Sequence, residues 1–300
     1  VYIDFFSLFK TEPQIKKTNV SFEQLDIVEL NKLSAIIKPS NFKSLLNNKI
    51  KGGKVISEIE FFLNEKGKLK NFIAKGQVKN LEAEILNDLF LNKTNLNFFA
   101  DKNDILLKNI FGYIDDINVS DGDIKINLED GTKLSSNFDL IIDINKKFFD
   151  KHQKLLNKFN FYNKIEYLKA NLSNNFLIEF DNTYKIKNYN YSVSGDISES
   201  NFKLLKPVKN SYITEKVNEI YLSDFKVKTV VEPKIIQING EGKYSFNNLN
   251  FSKINLENKI KDDLINLNLD FDYKNQLEIG IINYKKIKNS VANIKFDLEK

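Results

Sequence analysis

The chain has 300 residues, a formal net charge of +5, and 42% hydrophobic against 28% charged residues, a balance typical of folded globular proteins. It contains no cysteine and one histidine, which excludes disulfide scaffolds, thiolate zinc sites and cysteine nucleophiles and disfavours most transition-metal sites. We therefore expect no enzymatic activity, no metal and no cofactor.

The chain begins at Val1 and shows no basic, apolar, small-residue signal pattern. We expect it to be a segment of a longer protein whose export signal or anchor lies outside it. Apolar runs such as Phe138–Ile144 are short and interrupted by aspartate, whereas a membrane-spanning helix needs about 20 apolar residues. We predict no membrane-spanning helix in this segment.

The first part of the chain contains two possible helices. Residues 22–33 fit a helix and a strand equally well. Residues Ser40–Asn48 carry Phe42, Leu45 and Leu46 at helical spacing, follow Pro39 and end before two glycines, which predicts a short helix.

Strand-like alternation of apolar and polar residues dominates the rest of the chain. It is clearest over 265–273, 124–129 and 292–299, and weaker over 59–63, 81–85, 140–144 and 189–193. Such alternation is typical of antiparallel strands with one solvated face. One helix interrupts it: Phe148, His152, Leu155, Leu156 and Phe159 share one face of a predicted helix over 146–159.

Glycines occur both between and within the predicted strands. We predict turns at Lys51-Gly52-Gly53, Glu65-Lys66-Gly67, Asp121-Gly122-Asp123, Glu129-Asp130-Gly131 and Asn239-Gly240-Glu241-Gly242. Other glycines lie within strand patterns, in the segments 74–78, 193–197 and 238–242, where we expect bulges or bends. Asparagine is too abundant in this chain to be used as a turn signal.

These elements predict a mainly β fold, a long curled antiparallel β-sheet with a few short helices. Two short helices cannot cover the apolar face of so many strands. A sandwich of two sheets, a closed barrel, or a curled sheet whose apolar side holds a non-protein ligand would each solve this problem. Residues 1–300 contain no obvious linker, so we expect one elongated segment, with residues 146–159 as a possible divider between 1–145 and 160–300.

Several motifs between Lys38 and Ile144 resemble the AsmA-like superfamily, most closely its YhdP-type members, which are related in architecture to TamB. They are Lys38-Pro39-Ser40 before a short helix, Ile50-Lys51-Gly52-Gly53 before a strand, and the segments 75–81 and 104–112. The resemblance implies a periplasmic protein of a Gram-negative bacterium, anchored in the inner membrane, with a long β-sheet forming a hydrophobic groove. It implies phospholipid transfer between the inner and outer membranes, and it supplies no catalytic motif.

In this interpretation the functional residues act collectively, by contacting the acyl chains of phospholipids. The predicted groove lining consists of Ile124, Ile126, Leu128, Ile142, Leu267, Leu269, Phe271, Ile294 and Phe296. Each of these residues could equally belong to an ordinary protein core, as it would in a structural or adhesive β-sandwich that binds no lipid.

Other candidate sites have simpler explanations. His152 fits a packing residue on the apolar face of its helix. Asp115, Asp116, Asp121 and Asp123 lack the spacing of a calcium loop. The lysines alternate with acidic residues and form no basic block, so we expect a solvated face and no nucleic-acid partner.

Overall fold

The computed structural model describes residues 16–37, 48–86, 88–129, 131–156, 165–181, 183, 185–209, 215–262 and 264–300. The predicted mainly β class is confirmed. The first half contains β1 (Lys17–Asp26), α1 (Ile27–Ile37), β2 (Ile50–Leu63), β3 (Leu69–Leu86), β4 (Leu89–Asp101), β5 (Asp104–Ile114), β6 (Ile117–Asn127), β7 (Thr132–Asn145), α2 (Lys146–Lys151) and α3 (Gln153–Leu156).

The second half contains β8 (Ile165–Phe180), β9 (Ile186–Val208), β10 (Val217–Glu232), β11 (Ile235–Phe246), β12 (Ser252–Lys261), β13 (Leu264–Tyr273), β14 (Leu277–Ile279), β15 (Tyr284–Lys286) and β16 (Ala292–Glu299). A single 3-10 turn, Gly280–Ile282, connects β14 to β15.

Fourteen strands form one sheet whose order follows the chain from β1 to β13 and then adds β16. Strands β14 and β15 form a separate two-stranded sheet, so the hairpin they make is an insertion between β13 and β16. The strand pairs with a determined register are all antiparallel, as the alternation predicts. Across the described strands the order is open, with β1 at one end and β16 at the other.

The chain divides into two compact units. The N-terminal unit comprises residues 1–138 and 177–187, and the C-terminal unit comprises residues 139–176 and 188–300. The division runs through β7, β8 and β9, and the helical segment that the sequence suggests as a divider belongs to the C-terminal unit.

The ambiguous segment 22–33 contains both structures. Strand β1 continues to Asp26, and α1 begins at Ile27. The carboxylate of Asp26 accepts hydrogen bonds from the backbone N–H groups of Val28 (2.8 Å) and Glu29 (3.4 Å), so an N-cap ends the strand and starts the helix. The predicted helix Ser40–Asn48 lies outside the described residues except for Asn48.

The predicted helix 146–159 is present as two short helices up to Leu156, and its last residues lie outside the described part of the chain. The side chain of Asn145 caps α2 by accepting from the N–H of Lys147 at 3.0 Å. His152 forms the turn between α2 and α3 and is 2% exposed, with its ring 4.6 Å from that of Phe148. The histidine is therefore a packed residue, as its position predicts.

Two of the five predicted turns are correct, because residues 64–68 connect β2 to β3 and Gly131 lies between β6 and β7. The other three are wrong: Gly52-Gly53, Asp121-Gly122-Asp123 and Asn239–Gly242 lie inside strands. Gly53, with φ of +130°, lies beside two register shifts in β2, so this pair forms an irregularity within the strand rather than a chain reversal.

Bulges occur mainly at residues other than the glycines that the sequence favours. Asn80, Lys93, Asn109 and Asp224 have left-handed backbones, with φ between +47° and +53°, and each lies at a register shift of its strand. Side chains from the neighbouring strand satisfy two of the displaced N–H groups: Asn95 accepts from Asn80 at 3.1 Å, and Asp123 accepts from Asn109 at 3.1 Å.

Candidate functional site

Apolar side chains of the N-terminal unit form rows that run across neighbouring strands. Cross-strand pairing places one residue from each of β1 to β6 side by side in the first row: Val20, Ile59, Ala74, Ala100, Ile105 and Ile126. A second row contains Phe22, Ser57, Gly76, Phe98, Leu107 and Ile124. We call these two rows the N-terminal apolar face.

The C-terminal unit has an equivalent arrangement on β9 to β13 and β16. One row contains Gly195, Val227, Gly240, Leu256, Leu269 and Phe296. The next contains Ile197, Phe225, Ile254, Phe271 and Ile294, with Gly242 opposite the bulge in β10. We call these two rows the C-terminal apolar face.

Most side chains of both faces are half-buried, although apolar residues surround them. Ile59, Ile105 and Ile126 are neither fully buried nor fully exposed, and the same holds for Leu256, Leu269 and Phe271. A side chain in a packed protein core is normally almost fully buried. The described part of the chain therefore leaves these faces partly open.

Glycines and phenylalanines fit together on the apolar faces. A Cβ atom at Gly76, Gly122 or Gly240 would lie 2.9 Å or less from a ring atom of Phe98, Phe138 or Phe225 respectively. From the sequence, Gly76 and Gly240 are expected at bulges or bends and Gly122 at a turn, so this packing role of the glycines is not predicted. The frequent phenylalanines are the signal that could have suggested it, because a ring needs a position without a side chain to lie flat against a strand.

The same glycines also mark where neighbouring backbones approach closely. A Cβ atom at Gly76 would lie 2.0 Å from the carbonyl oxygen of Ile56, and one at Gly195 would lie 2.1 Å from that of Asn171. Gly242 is similar, at 2.5 Å from the Cα of Phe225. At these three positions a side chain would therefore collide with the backbone of the neighbouring strand.

On the opposite face, the strands of each unit carry mostly polar side chains, with ion pairs between neighbouring strands. Lys75 lies 3.1 Å from Glu58, and Lys295 lies 3.5 Å from Asp270. The side chains in these pairs are 40% exposed or more, so each pair contributes less than about 1 kcal/mol. This is the solvated face that the alternating lysines predict.

The predicted lining residues have different environments. Ile124 and Ile126 lie in the N-terminal apolar face, and Leu128 follows β6 with 41% of its surface exposed. Leu269, Phe271, Ile294 and Phe296 lie together in the C-terminal apolar face, where Phe296 is 46% exposed, and Leu267 lies beside them opposite Leu298. Ile142, near the end of β7, is only 6% exposed.

Register also adds residues that the sequence analysis did not select. Ile105, Leu107 and Phe98 pair directly with the row positions of β6 and β3, and Leu256 pairs with Leu269. The strands of Phe98, Ile105 and Leu107 show the alternation only weakly, because β4 and β5 each carry a bulge that shifts the pattern by one residue.

Two depressions in the surface are open and do not resemble active sites. The first, about 450 Å³, lies on the polar face of the C-terminal unit and mixes lysines with carboxylates, including Lys226, Glu241 and Asp270. The second, about 630 Å³, lies beside the β2–β3 turn. Among the described residues, no group of three or more histidine, aspartate or glutamate side chains is arranged to hold a metal ion.

The acidic cluster between β5 and β6 is used in local structure. Asp115 accepts a hydrogen bond from the N–H of Phe90 at 3.2 Å. Asp123 accepts from Asn109 and lies 3.8 Å from the ammonium of Lys108. Asp121 and Asp123 lie within β6, so the prediction that they belong to a turn is wrong, and the hydrogen bonds of Asp115 and Asp123 serve the local backbone instead.

Comparison of this chain with protein-family models, with curated proteins and with solved structures found no match. Throughout the residues described by the structure, none of the helices combines the length and the apolar character required to cross a membrane.

Proposed function

We propose that the two apolar faces bind the acyl chains of phospholipids and that this chain is a lipid-conducting segment of a larger protein. The observation that carries the proposal is the continuity of the apolar rows across neighbouring strands, combined with their incomplete burial. An acyl chain lying along such a row crosses strands about 4.8 Å apart and contacts mostly apolar side chains, with glycine or serine at a few positions.

The energetics of such binding need no specific polar residue. Transfer of one methylene group from water to an apolar surface contributes about 0.8 kcal/mol, and a phospholipid offers tens of them. Because each row repeats similar contacts, a chain can slide by one strand without losing much contact area. The headgroup would remain in water, so the proposal involves no chemical reaction, no cofactor and no nucleic acid.

Residues 38–144 resemble AsmA-like proteins, and this resemblance is the basis for a proposal about where the full-length protein acts in the cell. We propose that the full-length protein lies in the periplasm of a Gram-negative bacterium and is anchored in the inner membrane. Its role there would be to move phospholipids between the inner and outer membranes.

A charge on the apolar face provides the test. Leu269→Lys and Ile126→Lys each place an ammonium group in a row, whereas Asn268→Lys and Asn127→Lys place the same group one residue away, on the polar face beside Glu257 or Asp104. Phospholipid that co-purifies with each variant would be quantified by mass spectrometry, and transfer of a fluorescent phospholipid between vesicles would be timed.

We expect at least a tenfold loss of bound lipid and of transfer in the apolar-face variants, and near wild-type values in the controls. Circular dichroism and thermal unfolding verify that each variant is folded. Wild-type lipid binding in both folded apolar-face variants would refute the proposal. Absence of lipid from the wild-type protein, with the faces covered by a second protein surface in solution, would favour the structural or adhesive β-sandwich instead.

A further inference from the structure

The β14–β15 hairpin and the residues that follow it include the two most exposed large apolar side chains of the described chain, Ile281 and Ile287. Ile281 and Ile282, in the 3-10 turn at its tip, are 86% and 67% exposed. Ile287 and Val291, which follow β15, are 71% and 58% exposed. Isoleucines exposed to this extent contribute no stabilisation through burial of apolar surface when the chain folds. Their position at the turn therefore indicates contact with an apolar environment outside this chain.

The base of the hairpin is held rigidly. Lys286 is 4% exposed, and its ammonium donates hydrogen bonds to the carbonyl oxygens of Asn275 (2.8 Å), Ile287 (3.2 Å) and Ser290 (2.6 Å). The same ammonium lies 5.7 Å from the ring centre of the buried Tyr273. These contacts join both ends of the insertion to β13, so the tip projects from a fixed base.

Positive charge and an aromatic residue accompany the tip. Residues 274–291 contain four lysines and one glutamate, and Lys285 and Lys288 keep more than half of their side-chain surface exposed despite pairing with Glu278 and Glu215. Tyr284, 45% exposed, follows the tip directly. In a membrane, tyrosine is enriched at the interface that covers the hydrocarbon core, and lysine is attracted to anionic headgroups. The isoleucines, the tyrosine and the lysines of the hairpin correspond to these three layers.

A second loop enlarges this surface. Leu249 and Phe251, in the β11–β12 connection, are 54% and 37% exposed. The ammonium of Lys274, at the base of the hairpin, donates to the carbonyl oxygen of Phe251 at 3.1 Å and so ties the two loops together.

We propose that the tip of the β14–β15 hairpin, which carries Ile281 and Ile282, inserts into the surface of a membrane that contains anionic phospholipids. A protruding pair of isoleucines fits between lipid headgroups, whereas a protein partner would need a pocket complementary to the protrusion. Lys285 and Lys288 would contact lipid phosphates, and the apolar side chains would enter the outer part of the acyl region. This inference is independent of lipid binding by the apolar faces.

The absence of tryptophan from the chain gives a direct assay. Tyr284→Trp places a single fluorophore next to the tip, and its emission would shift to the blue on addition of phosphatidylglycerol–phosphatidylcholine vesicles. In this background Ile281→Ser/Ile282→Ser removes the apolar tip. Leu264→Ser is the matched control, because Leu264 is 65% exposed beside a turn at the opposite end of β13 and is paired with Lys261.

We expect the double variant to lower the vesicle partition coefficient roughly 100-fold, about tenfold for each isoleucine, and the control to change it less than about twofold. Vesicles of phosphatidylcholine alone, or added salt, should weaken binding by the wild-type chain. No partition by the wild-type chain, or equal partition by the double variant, would overturn the proposal. So would a wild-type dimer that the double variant converts to a monomer without any vesicle binding, since a second copy would then be the partner.

Discussion

Replacing Gly76 by alanine should destabilise the N-terminal unit, although the same change in an ordinary strand increases stability by about 0.5–1 kcal/mol. The new Cβ atom would lie 2.0 Å from the carbonyl oxygen of Ile56 and 2.9 Å from both the Cα of Ser57 and the ring of Phe98. Two of these three atoms belong to the backbone and cannot rotate away. Overpacking of this kind costs about 1–3 kcal/mol, so we expect a net loss of about 0.5–2 kcal/mol.

Hydrogen exchange followed by mass spectrometry measures this loss where it occurs, because peptides from β2 to β4 report their own opening free energy. The expected loss corresponds to roughly two- to thirtyfold faster exchange in those strands. Gly280→Ala is the matched control: no heavy atom lies within 4 Å of its Cβ position, and exchange should be unchanged or slightly slower. Exchange in β2–β4 of Gly76→Ala as slow as in the wild-type chain would refute the close approach of the strands at this point.

Three further predictions concern single residues. Asn80 has φ of +50°, a left-handed conformation that glycine adopts easily and valine does not. Asn80→Gly should leave the thermal midpoint nearly unchanged, whereas Asn80→Val should lower the free energy of unfolding by about 1–2 kcal/mol. Equal midpoints in the two variants would contradict a left-handed bulge at this position. Lys286→Met leaves three carbonyl oxygens without their hydrogen-bond donor. We expect a loss of about 1–3 kcal/mol in local stability and faster proteolysis within residues 274–291. Unchanged proteolysis would contradict a structural role for these three hydrogen bonds. The hydroxyl of Tyr221 donates to the carboxylate of Glu219 at 2.5 Å, which raises the pKa of Tyr221 to about 12. Because this pKa is higher in the folded state than the ordinary value near 10, the stabilisation from the hydrogen bond is fully present below pH 10 and decreases between pH 10 and 12. The free energy of unfolding measured in urea should therefore decrease less steeply over this pH range in Tyr221→Phe. An identical pH dependence in both proteins would contradict the raised pKa of Tyr221.

The alternation over 265–273 correctly predicts both β13 and the face that each of its side chains occupies. Period-two patterning is local, so a strand without bulges can be interpreted directly from its sequence. The pattern fails in β4 and β5, where Lys93 and Asn109 each add a residue and exchange the two faces. Asparagine is so frequent in this chain that nothing distinguishes Asn109 from the many asparagines in regular strands.

The glycines show a similar limit. Gly67 forms a turn and Gly122 lies inside β6, yet both follow a charged residue in a polar stretch. The difference is that Phe138, sixteen positions later, places its ring over Gly122. A residue that distant cannot be recognised as a partner before the strands are aligned.

The sequence by itself determined that the chain is mainly antiparallel β and that each regular strand has one apolar and one charged side. It could do so because side-chain direction alternates along any extended backbone. Only the tertiary structure decided which residues of different strands lie side by side, and therefore that Ile126 continues a row from Ile59, and that Ile142 is almost fully buried. Register depends on hydrogen bonding between distant segments, and a slip of one residue sends every side chain to the opposite face.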